Sequence, residues 1–349
     1  MGQLLTAVEA TDPHRVVEGL ERVWAKGGAA LLLDPRLNAA ERPVVPPEAT
    51  LPPGTALVLA TSGSTGVPKL VALGTSALEA AAELTNGAVG ASPGDRWLCC
   101  LPVTSIGGLM TLLRSRALGS APVLHERFDV ERVRTENEAR FISLVPTMLT
   151  RLLDADVDLT GFERVLLGGA PASDGLIRRA RARSVRLTTT YGMTETAGGV
   201  VYDGVPLPGV RVKLGSRGRI KISSPTLFSG YLGPHEGPRS GWFSTNDSGV
   251  FQDGKLRVLG RLDATIISGG RNIDPTEVVE RLREHPGIAG VLVRGAPDPA
   301  WGERVVAVVV ARDPEDPPTL QEVQRFLEGR LSRYKWPREL RVVETLPKS

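Results

Sequence analysis

Short apolar runs alternate with stretches of helical spacing through much of the chain, and this alternation restricts the fold more than any other feature. Apolar runs suited to buried strands occupy residues 56–60, 141–145, 165–167 and 185–187. Helical patterns lie at residues 106–118, 147–153 and 173–183. Such strand–helix alternation predicts a mostly parallel sheet covered by helices. We therefore expect an α/β fold.

The pattern changes near residue 209, where short β-rich pieces separated by glycine and proline begin. After Arg261 a second unit follows, with expected helices at residues 275–284 and 320–331. Its expected strands lie at residues 290–294, 305–311 and 340–343. This is the pattern of a small α+β domain of ordinary size. We predict a large N-terminal α/β domain with a β-rich part over residues 1–261, and a small C-terminal domain over residues 262–349.

Charge and cysteine content exclude several classes of protein. The 349 residues include 42 Lys and Arg against 39 Asp and Glu, a net charge of +3, and the two signs are interspersed, which does not predict a nucleic-acid binder. The two cysteines, Cys99 and Cys100, are adjacent, so a disulfide framework is excluded. No apolar stretch approaches the ~20 residues that span a bilayer, and the N-terminus lacks the basic start of a signal peptide. We expect a cytoplasmic protein with neither nucleic-acid nor membrane partners.

The strongest local signal is a run of small and hydroxyl residues over 61–69, directly after the first strand pattern. It reads Thr-Ser-Gly-Ser-Thr-Gly-Val-Pro-Lys. Its backbone N–H groups, hydroxyls and lysine provide what a polyphosphate requires. The run is not a Walker A motif, because four residues do not separate the glycines and Pro-Lys replaces the terminal Gly-Lys-Ser/Thr. Taken alone, it is equally consistent with an ordinary surface loop.

Four further segments follow this loop in order. Residues 190–195 (Thr-Tyr-Gly-Met-Thr-Glu) place an aromatic ring, a hydroxyl and a carboxylate at a strand end, where ligands bind in open α/β sheets. Residues 241–249 offer a carboxylate in a tight turn, which suits the two hydroxyls of a ribose. Residues 260–263 mark the change of domain, and residues 268–273 contain a second glycine loop.

Taken together and in this order, the five segments resemble the adenylate-forming superfamily, which includes acyl- and aryl-CoA synthetases, firefly luciferase and the adenylation domains of peptide synthetases. The resemblance implies the adenylate-forming fold, in which a small mobile C-terminal domain follows a large N-terminal one. It also implies two half-reactions at one site. ATP and a carboxylic acid give an acyl-adenylate and pyrophosphate, and a thiol such as coenzyme A then displaces AMP. The expected partners are a small carboxylic acid, ATP, Mg²⁺ and coenzyme A.

The same resemblance assigns roles to individual residues, each of which taken singly would more often be a surface charge, a turn former or a strand residue. Lys69, Thr194 and Glu195 are the expected catalytic residues, with Glu195 as the ligand of Mg²⁺. The hinge is assigned to Asp263, and the coenzyme A channel to Gly269 and Gly270. The expected ATP-binding residues are Thr61, Ser62, Gly63, Ser64, Thr65, Gly66, Lys69, Gly169, Ala170, Pro171, Thr190, Tyr191, Gly192, Thr194, Asp247 and Arg261.

The short lead-in before the first glycine loop narrows the resemblance. Together with residues 101–115, 143–149 and 166–171, it resembles the actinobacterial form of o-succinylbenzoate:CoA ligases, enzymes of menaquinone biosynthesis. This resemblance implies that the acid lies near Ser105, Arg114, Gly168 and Gly192.

Two of these acid-site residues carry open questions. Ser105 stands where those ligases usually have a histidine, so the side chain that would donate a hydrogen bond to the acid is shorter. Arg114 could pair with the second carboxylate of a succinyl-type acid, a geometry that a guanidinium suits. A surface or structural helix residue is the alternative for Arg114.

Other functions also remain open at this point. A different acid or acceptor would give another acyl- or aryl-CoA ligase or an enzyme that loads a carrier protein, and a non-catalytic nucleotide-binding homologue is a third hypothesis. A homo-oligomer is compatible with the sequence.

Residues 346–349 supply only the opening of the motif Pro-Lys-Thr-x-x-Gly-Lys. The resemblance assigns the last lysine of this motif to adenylation, so Lys348 is not expected to fill that role. The sequence either continues beyond this point or belongs to a protein that is weak in the first half-reaction. We expect the chain as given to bind ATP but to form the adenylate slowly.

Overall fold

The structure is a computed structural model that describes residues 3–10, 12–34, 42–45, 49–61, 69–233, 237–262, 266–268, 271–298 and 301–346. The chain divides into two compact units. Unit 1 comprises Met1–Lys213, Lys221–Ser244 and Phe251–Leu256, and unit 2 comprises Leu214–Ile220, Thr245–Val250 and Arg257–Ser349. The domain limits expected at residues 261 and 262 stay a prediction.

The first sheet of unit 1 contains, in spatial order, β1 (Leu5–Glu9), β2 (Ala29–Leu33), β3 (Thr55–Thr61), β4 (Lys69–Gly74) and β14 (Gly230–Leu232). β1, β2 and β3 are parallel, whereas β4 is antiparallel to both of its neighbours. Parallel strands need a crossover, and α1 (Pro13–Trp24) supplies it between β1 and β2. The helix begins after Asp12, whose side chain accepts a hydrogen bond from His14 N, as an N-cap does.

The second sheet of unit 1 contains, in spatial order, β11 (Val205–Pro206), β10 (Gly198–Tyr202), β9 (Leu187–Met193), β8 (Arg164–Leu167), β7 (Phe141–Leu144), β5 (Trp97–Cys99) and β6 (Val123–Leu124). The strands from β9 to β6 are parallel, and β10 and β11 complete the sheet in antiparallel pairing. On the neighbouring strands β5 and β7, Trp97 lies opposite Phe141, with the ring centroids 5.0 Å apart.

The helices of unit 1 that accompany this sheet are α2 (Thr75–Val89), α3 (Ile106–Ala117), α4 (Val130–Arg134), α5 (Pro146–Asp154) and α6 (Asp174–Ala182). They alternate with the strands along the chain, as the sequence predicted for α3, α5 and α6 but not for α2 or the short α4. The helix α2 was not predicted, because its buried apolar positions are mostly alanines, which give a weak hydrophobic pattern.

A third sheet contains β12 (Arg211–Leu214), β13 (Arg219–Ser223), β15 (Phe243–Gln252) and β16 (Lys255–Arg261) in that order. A fourth sheet, in unit 2, contains β18 (Arg271–Ile273), β17 (Ile266–Ser268), β20 (Gly302–Ala311) and β19 (Ile288–Asp298), with β21 (Glu339–Val342) parallel to β20. The helices α7 (Pro275–Leu282) and α8 (Leu320–Leu327) complete unit 2.

The mixed α+β composition of unit 2 agrees with the sequence-based expectation, but the last helix is shorter than expected. The predicted helix over residues 320–331 ends at Leu327, because Glu328 has extended backbone angles and Gly329 has a φ of +72°. A glycine in the left-handed region is a common way for a helix to end.

Within the described residues, no helix combines the length and the apolar composition that crossing a membrane requires.

Candidate functional site

Two of the predicted catalytic residues, Lys69 and Glu195, contact the same tyrosine. Lys69 is the first residue of β4, and Tyr231 on β14 pairs with Val71 two positions along that strand. Residues two apart on a strand share a face, and Lys69 Nζ accordingly lies 5.5 Å from the centroid of the Tyr231 ring. The Tyr231 hydroxyl donates a hydrogen bond to Glu195 Oε1 at 2.7 Å. The phenol of Tyr231 therefore contacts the ammonium group of Lys69 with its ring face and the carboxylate of Glu195 with its hydroxyl.

The environment keeps the phenol of Tyr231 protonated. Burial, the negative charge of Glu195 and the hydrogen bond to that carboxylate together raise the pKa of Tyr231 far above its usual value. The hydroxyl therefore remains a hydrogen-bond donor throughout the physiological pH range.

Glu195 lies in a single 3₁₀ turn, Thr194–Thr196, that follows β9. Thr196 locks this turn, because its buried hydroxyl donates to Gly198 O at 2.7 Å and accepts from Met193 N at 2.9 Å. The main chain of Glu195 is also held, since Phe228 N donates to Glu195 O at 2.9 Å. From the sequence, Thr190 and Tyr191 were expected at the end of a strand. This was wrong, because β9 continues to Met193 and both residues lie within it.

Glu195 fits the expected role as a ligand of Mg²⁺ in a nucleotide complex. Its Oε1 accepts the bond from Tyr231, and Oε2 is the remaining oxygen of the carboxylate. In the described part of the chain, no group of three or more His, Cys, Asp or Glu side chains forms a preformed metal site. Mg²⁺ is commonly bound through one or two carboxylates together with phosphate oxygens and waters. A lone glutamate is therefore compatible with a metal that arrives with the nucleotide.

The two halves of the expected adenine slot come from the turn after β8 and from the second half of the neighbouring strand β9. Leu167 at the end of β8 pairs with Thr189 on β9, which brings the turn after β8 next to the second half of β9. Gly169 in that turn has a φ of +77°, a conformation that favours glycine. The structure thus brings the Gly169–Ala170–Pro171 turn near the Thr190–Tyr191–Gly192 segment, as expected for an edge where parallel strands end.

Gly168 and Gly192 have structural reasons to be glycine. A Cβ on Gly168 would lie 2.2 Å from Thr190 Oγ1, and a Cβ on Gly192 would lie 1.9 Å from Gly198 O. Both positions require a close approach that any side chain would prevent. Their expected contact with the acid stays a prediction.

Arg114 is buried on α3 and is not a surface residue. It is 5 % exposed, and its guanidinium carbon lies 4.8 Å from the centroid of the Trp97 ring. Nη1 donates to Ser143 Oγ at 3.1 Å, while Nε is buried without a hydrogen-bond partner in the described part of the chain. Burial lowers the pKa of the guanidinium, because removing a charge from water disfavours it. A buried guanidinium with an unused donor is suited to receive an anionic ligand.

A network of hydrogen bonds fixes the position of Arg114. Asn86 on α2 donates through Nδ2 to Arg114 O at 3.0 Å and accepts from Trp97 Nε1 at 3.0 Å. Ser115, the next residue on α3, accepts a bond from Trp97 N at 3.0 Å. The helices α2 and α3 and the strand β5 thus hold the guanidinium against the indole.

Ser105 performs a structural task in this fold. Its hydroxyl donates to Pro102 O at 2.7 Å and accepts from Gly108 N at 3.2 Å. The bond from Gly108 N is that of an N-cap at the start of α3. Its expected contact with the acid stays a prediction.

In unit 2, the two expected ribose contacts lie on adjacent strands. Asp247 lies within the strand β15 and not in the tight turn expected from the sequence, and Arg261 is the last residue of β16. Asp247 N donates to Thr245 Oγ1 at 3.0 Å, and Leu262 N donates to Asn246 O at 2.6 Å. The structure therefore brings these two predicted residues to one region of the same hairpin.

Thr61 is the last residue of β3 and pairs with Lys69 across the start of β4. The remaining expected residues of that loop, the hinge, the coenzyme A channel and the C-terminal motif lie outside the described residues; they are Ser62, Gly63, Ser64, Thr65, Gly66, Asp263, Gly269, Gly270 and Lys348.

Sequence reasoning missed Tyr231. It lies between two glycine-containing turns in the β-rich part, far along the chain from both residues that it contacts. Its one sequence signal is the Gly-Tyr-Leu-Gly segment, which is compatible with a short strand and carries no sign of a ligand.

Comparisons with known proteins match both parts of the chain. Residues 4–232 match the family described as AMP-binding enzyme, and residues 277–349 match the AMP-binding enzyme C-terminal domain. A probable 2-succinylbenzoate–CoA ligase of Mycobacterium tuberculosis is 39% identical, over 84% of this chain and 80% of the relative. A 2-succinylbenzoate–CoA ligase of Bacillus licheniformis is 35% identical, over 89% of this chain and 71% of the relative.

Solved structures of o-succinylbenzoate CoA synthetase (MenE) from Bacillus subtilis share the fold. The complex with the acyl-adenylate intermediate OSB-AMP has a TM-score of 0.89 at 27% identity, covering 99% of this chain and 86% of that one. The complex with ATP and magnesium ion has a TM-score of 0.88 at 26% identity, covering 99% of this chain and 87% of that one.

Proposed function

We propose, from the premise that this chain belongs to the AMP-binding enzyme family, that it is an ATP-dependent o-succinylbenzoate:CoA ligase of menaquinone biosynthesis. The membership confirms the resemblance to adenylate-forming enzymes and the expected fold class. The similarity to 2-succinylbenzoate–CoA ligases supports the choice of acid. On composition, we propose a cytoplasmic enzyme whose partners are ATP, the acid and coenzyme A.

The observation that supports o-succinylbenzoate as the acid is the burial of the Arg114 guanidinium. Its buried guanidinium stacks on Trp97 and retains an Nε–H without a hydrogen-bond partner in the described residues. Burying a charge without a counter-ion is costly, and a carboxylate that arrives with the substrate would offset that cost. o-Succinylbenzoate carries two carboxylates, so one can be activated while the other pairs with Arg114. An acid with a single carboxylate offers no such partner.

In the first half-reaction, a carboxylate oxygen of the acid attacks the α-phosphorus of ATP, and the bond to pyrophosphate breaks. The ammonium group of Lys69 would offset the negative charge of the phosphates, which otherwise repel the incoming carboxylate, and the hydroxyls of the 61–69 loop would donate hydrogen bonds to them. Thr194 would contact the α-phosphate, and Glu195 would hold Mg²⁺. The metal supplies positive charge that stabilises the leaving pyrophosphate. In the second half-reaction, the thiol of coenzyme A attacks the acyl carbon and AMP leaves.

The remaining residues have supporting roles in this proposal. The turn after β8 and the segment around Tyr191 would enclose the adenine, and the hairpin of β15 and β16 would bind the ribose. A hinge near Asp263 would separate a domain over residues 1–261 from a mobile domain over residues 262–349. The proposed roles at the hairpin, the coenzyme A channel and the acid fall to Asp247, Arg261, Gly269, Gly270, Ser105, Gly168 and Gly192.

The test is Arg114→Ala, assayed by pyrophosphate release with o-succinylbenzoate and with benzoate as alternative acids. Truncating one partner of a buried, hydrogen-bonded charge pair costs about 2–5 kcal/mol, so the KM for o-succinylbenzoate should rise by about 30-fold or more. The KM for benzoate should change little, because benzoate has no second carboxylate.

Arg116→Ala is the matched control. Arg116 lies two residues further along α3, is exposed and pairs with Glu21 at 2.8 Å. It should leave both KM values near those of the wild type. Arg114→Lys, which keeps the charge but lacks the planar fork, should give an intermediate KM. Equal effects of Arg114→Ala on the two acids would contradict the assignment, and absence of acid-dependent pyrophosphate release from the wild type would contradict the activity.

A further inference from the structure

We infer that Tyr231 is a positioning residue that holds the Glu195 carboxylate in the orientation needed for Mg²⁺–ATP. The inference rests on the proposed function, in which Glu195 binds the metal that accompanies the nucleotide. Tyr231 itself lies outside the residues expected to touch ATP or the acid.

A hydrogen bond joins the phenol of Tyr231 to the carboxylate of Glu195. The Tyr231 hydroxyl donates to Glu195 Oε1 at 2.7 Å, which is a short bond to a charged acceptor. A bond to one oxygen fixes the rotation of the carboxylate about its last torsion, a torsion that is otherwise soft. The second oxygen, Oε2, is then presented in one direction as the metal ligand.

The phenol ring of Tyr231 is itself held in place by aromatic packing. Phe228 contacts it edge-on, with centroids 4.7 Å apart, and Phe228 in turn packs edge-on against Phe243 at 5.0 Å. The backbone is fixed as well, because β14 pairs with β4 over its whole length. A residue that orients another group must be rigid, and Tyr231 meets this requirement.

The phenol of Tyr231 also contacts Lys69. The ammonium group lies over the ring face and the carboxylate lies at the hydroxyl. Each charge thereby has an interaction with the phenol, and neither has to pair with the other. Direct pairing of Lys69 with Glu195 would neutralise the phosphate-binding cation and the metal-binding anion together. Tyr231 leaves both charges available to the nucleotide and its metal.

The experiment measures ATP binding by isothermal titration calorimetry on the full 349-residue chain, with and without Mg²⁺ and with no acid or coenzyme A present. Tyr231→Phe removes the hydroxyl and keeps the ring. We expect the Mg²⁺ concentration for half-maximal ATP binding to rise about tenfold, which corresponds to about 1.4 kcal/mol. Binding of ATP without Mg²⁺ should stay within about twofold of wild type, because the ring over Lys69 is retained.

Tyr202→Phe is the matched control. Tyr202 is a buried tyrosine of unit 1 whose hydroxyl shares a hydrogen bond with Thr85 Oγ1 at 2.9 Å. Its variant loses an equivalent hydroxyl and should retain the wild-type Mg²⁺ dependence. A second variant, Glu195→Gln, should lose most of the Mg²⁺ dependence, and adding Tyr231→Phe to it should cause no further loss, since the hydroxyl acts through Glu195.

Three results would overturn the inference: an unchanged Mg²⁺ requirement in Tyr231→Phe, an equal loss of ATP affinity with and without Mg²⁺, or a full additional loss in the Glu195→Gln background. Failure of the proposed function would appear elsewhere, as a wild-type protein that binds Mg²⁺–ATP but releases no pyrophosphate with any acid. Wild-type protein that does not bind Mg²⁺–ATP would overturn both.

Discussion

Gly192 has no room for a side chain between β9 and β10, and Gly192→Ala therefore probes the strand pairing that carries the turn with Glu195. The added Cβ would lie 1.9 Å from Gly198 O and 2.6 Å from Gly199 Cα, and both are backbone atoms. An ordinary contact begins near 3.4 Å, so the two strands would have to separate by roughly 1.5 Å. No side-chain rotation can relieve this clash.

The expected cost has two parts. Overpacking of this kind costs about 1–3 kcal/mol. Separation of the strands also weakens the bonds around the pairs Gly192–Gly199 and Met193–Gly198, at about 1 kcal/mol for each hydrogen bond lost. With one bond lost at each of the two pairs, we expect Gly192→Ala to lower the free energy of unfolding of unit 1 by about 3–5 kcal/mol.

The assay is urea unfolding of the purified variants, combined with calorimetry to separate the transitions of the two units. Gly87→Ala is the control, because Gly87 is exposed on α2 and, beyond its chain neighbours and the backbone of its own helix, no described atom lies within 4 Å of its Cβ position. Alanine should stabilise that helix by about 0.5–1 kcal/mol. A Gly192→Ala protein within about 1 kcal/mol of wild type would refute the steric argument.

Two further predictions concern buried titratable groups. Burial lowers the pKa of His125, which lies 3.3 Å from the Glu136 carboxylate. As the pH drops, the unfolded chain therefore binds a proton at this histidine before the folded chain does. The free energy of unfolding should fall below about pH 6.5. Urea titrations between about pH 5 and pH 7 should show a shallower pH dependence in His125→Gln, and an unchanged slope would contradict this. Burial raises the pKa of Cys99 to about 11 and that of Cys100 to about 12, so neither thiol should react with a disulfide reagent at neutral pH until denaturant is added. Rapid labelling of the native protein would contradict that prediction.

The alternation of strands and helices in unit 1 could be predicted from the sequence, because its buried strands are continuous apolar runs. The strand at Phe141–Leu144 is an example, since the predicted run and the observed strand agree within one residue. The helix α2 could not be found in the same way, because alanines at its buried positions distinguish its faces poorly. The end of α8 depended on the backbone conformation of Gly329, which periodicity does not report.

The candidate site was predictable where its residues form local motifs and not where they meet only in the fold. Lys69 and Glu195 each belong to a recognisable segment, so both could be named as candidates from the sequence, and their roles stay a prediction. Tyr231 links them through a strand pairing, and its partners cannot be read from its neighbours in the sequence. Arg114 was named as a candidate, but only the structure distinguishes a buried guanidinium stacked on an indole from a surface charge.

The short strand β14 has a consequence for how variation in this protein should be interpreted. The segment from Phe228 to Leu232 is bonded to β4 on one side and to the main chain and side chain of Glu195 on the other. In a saturation mutagenesis experiment scored by enzyme activity, substitutions in this segment should therefore reduce activity as strongly as substitutions in the motifs themselves. Variants in this segment would be classed as active-site defects by their phenotype, although none of the substituted side chains is expected to touch a substrate.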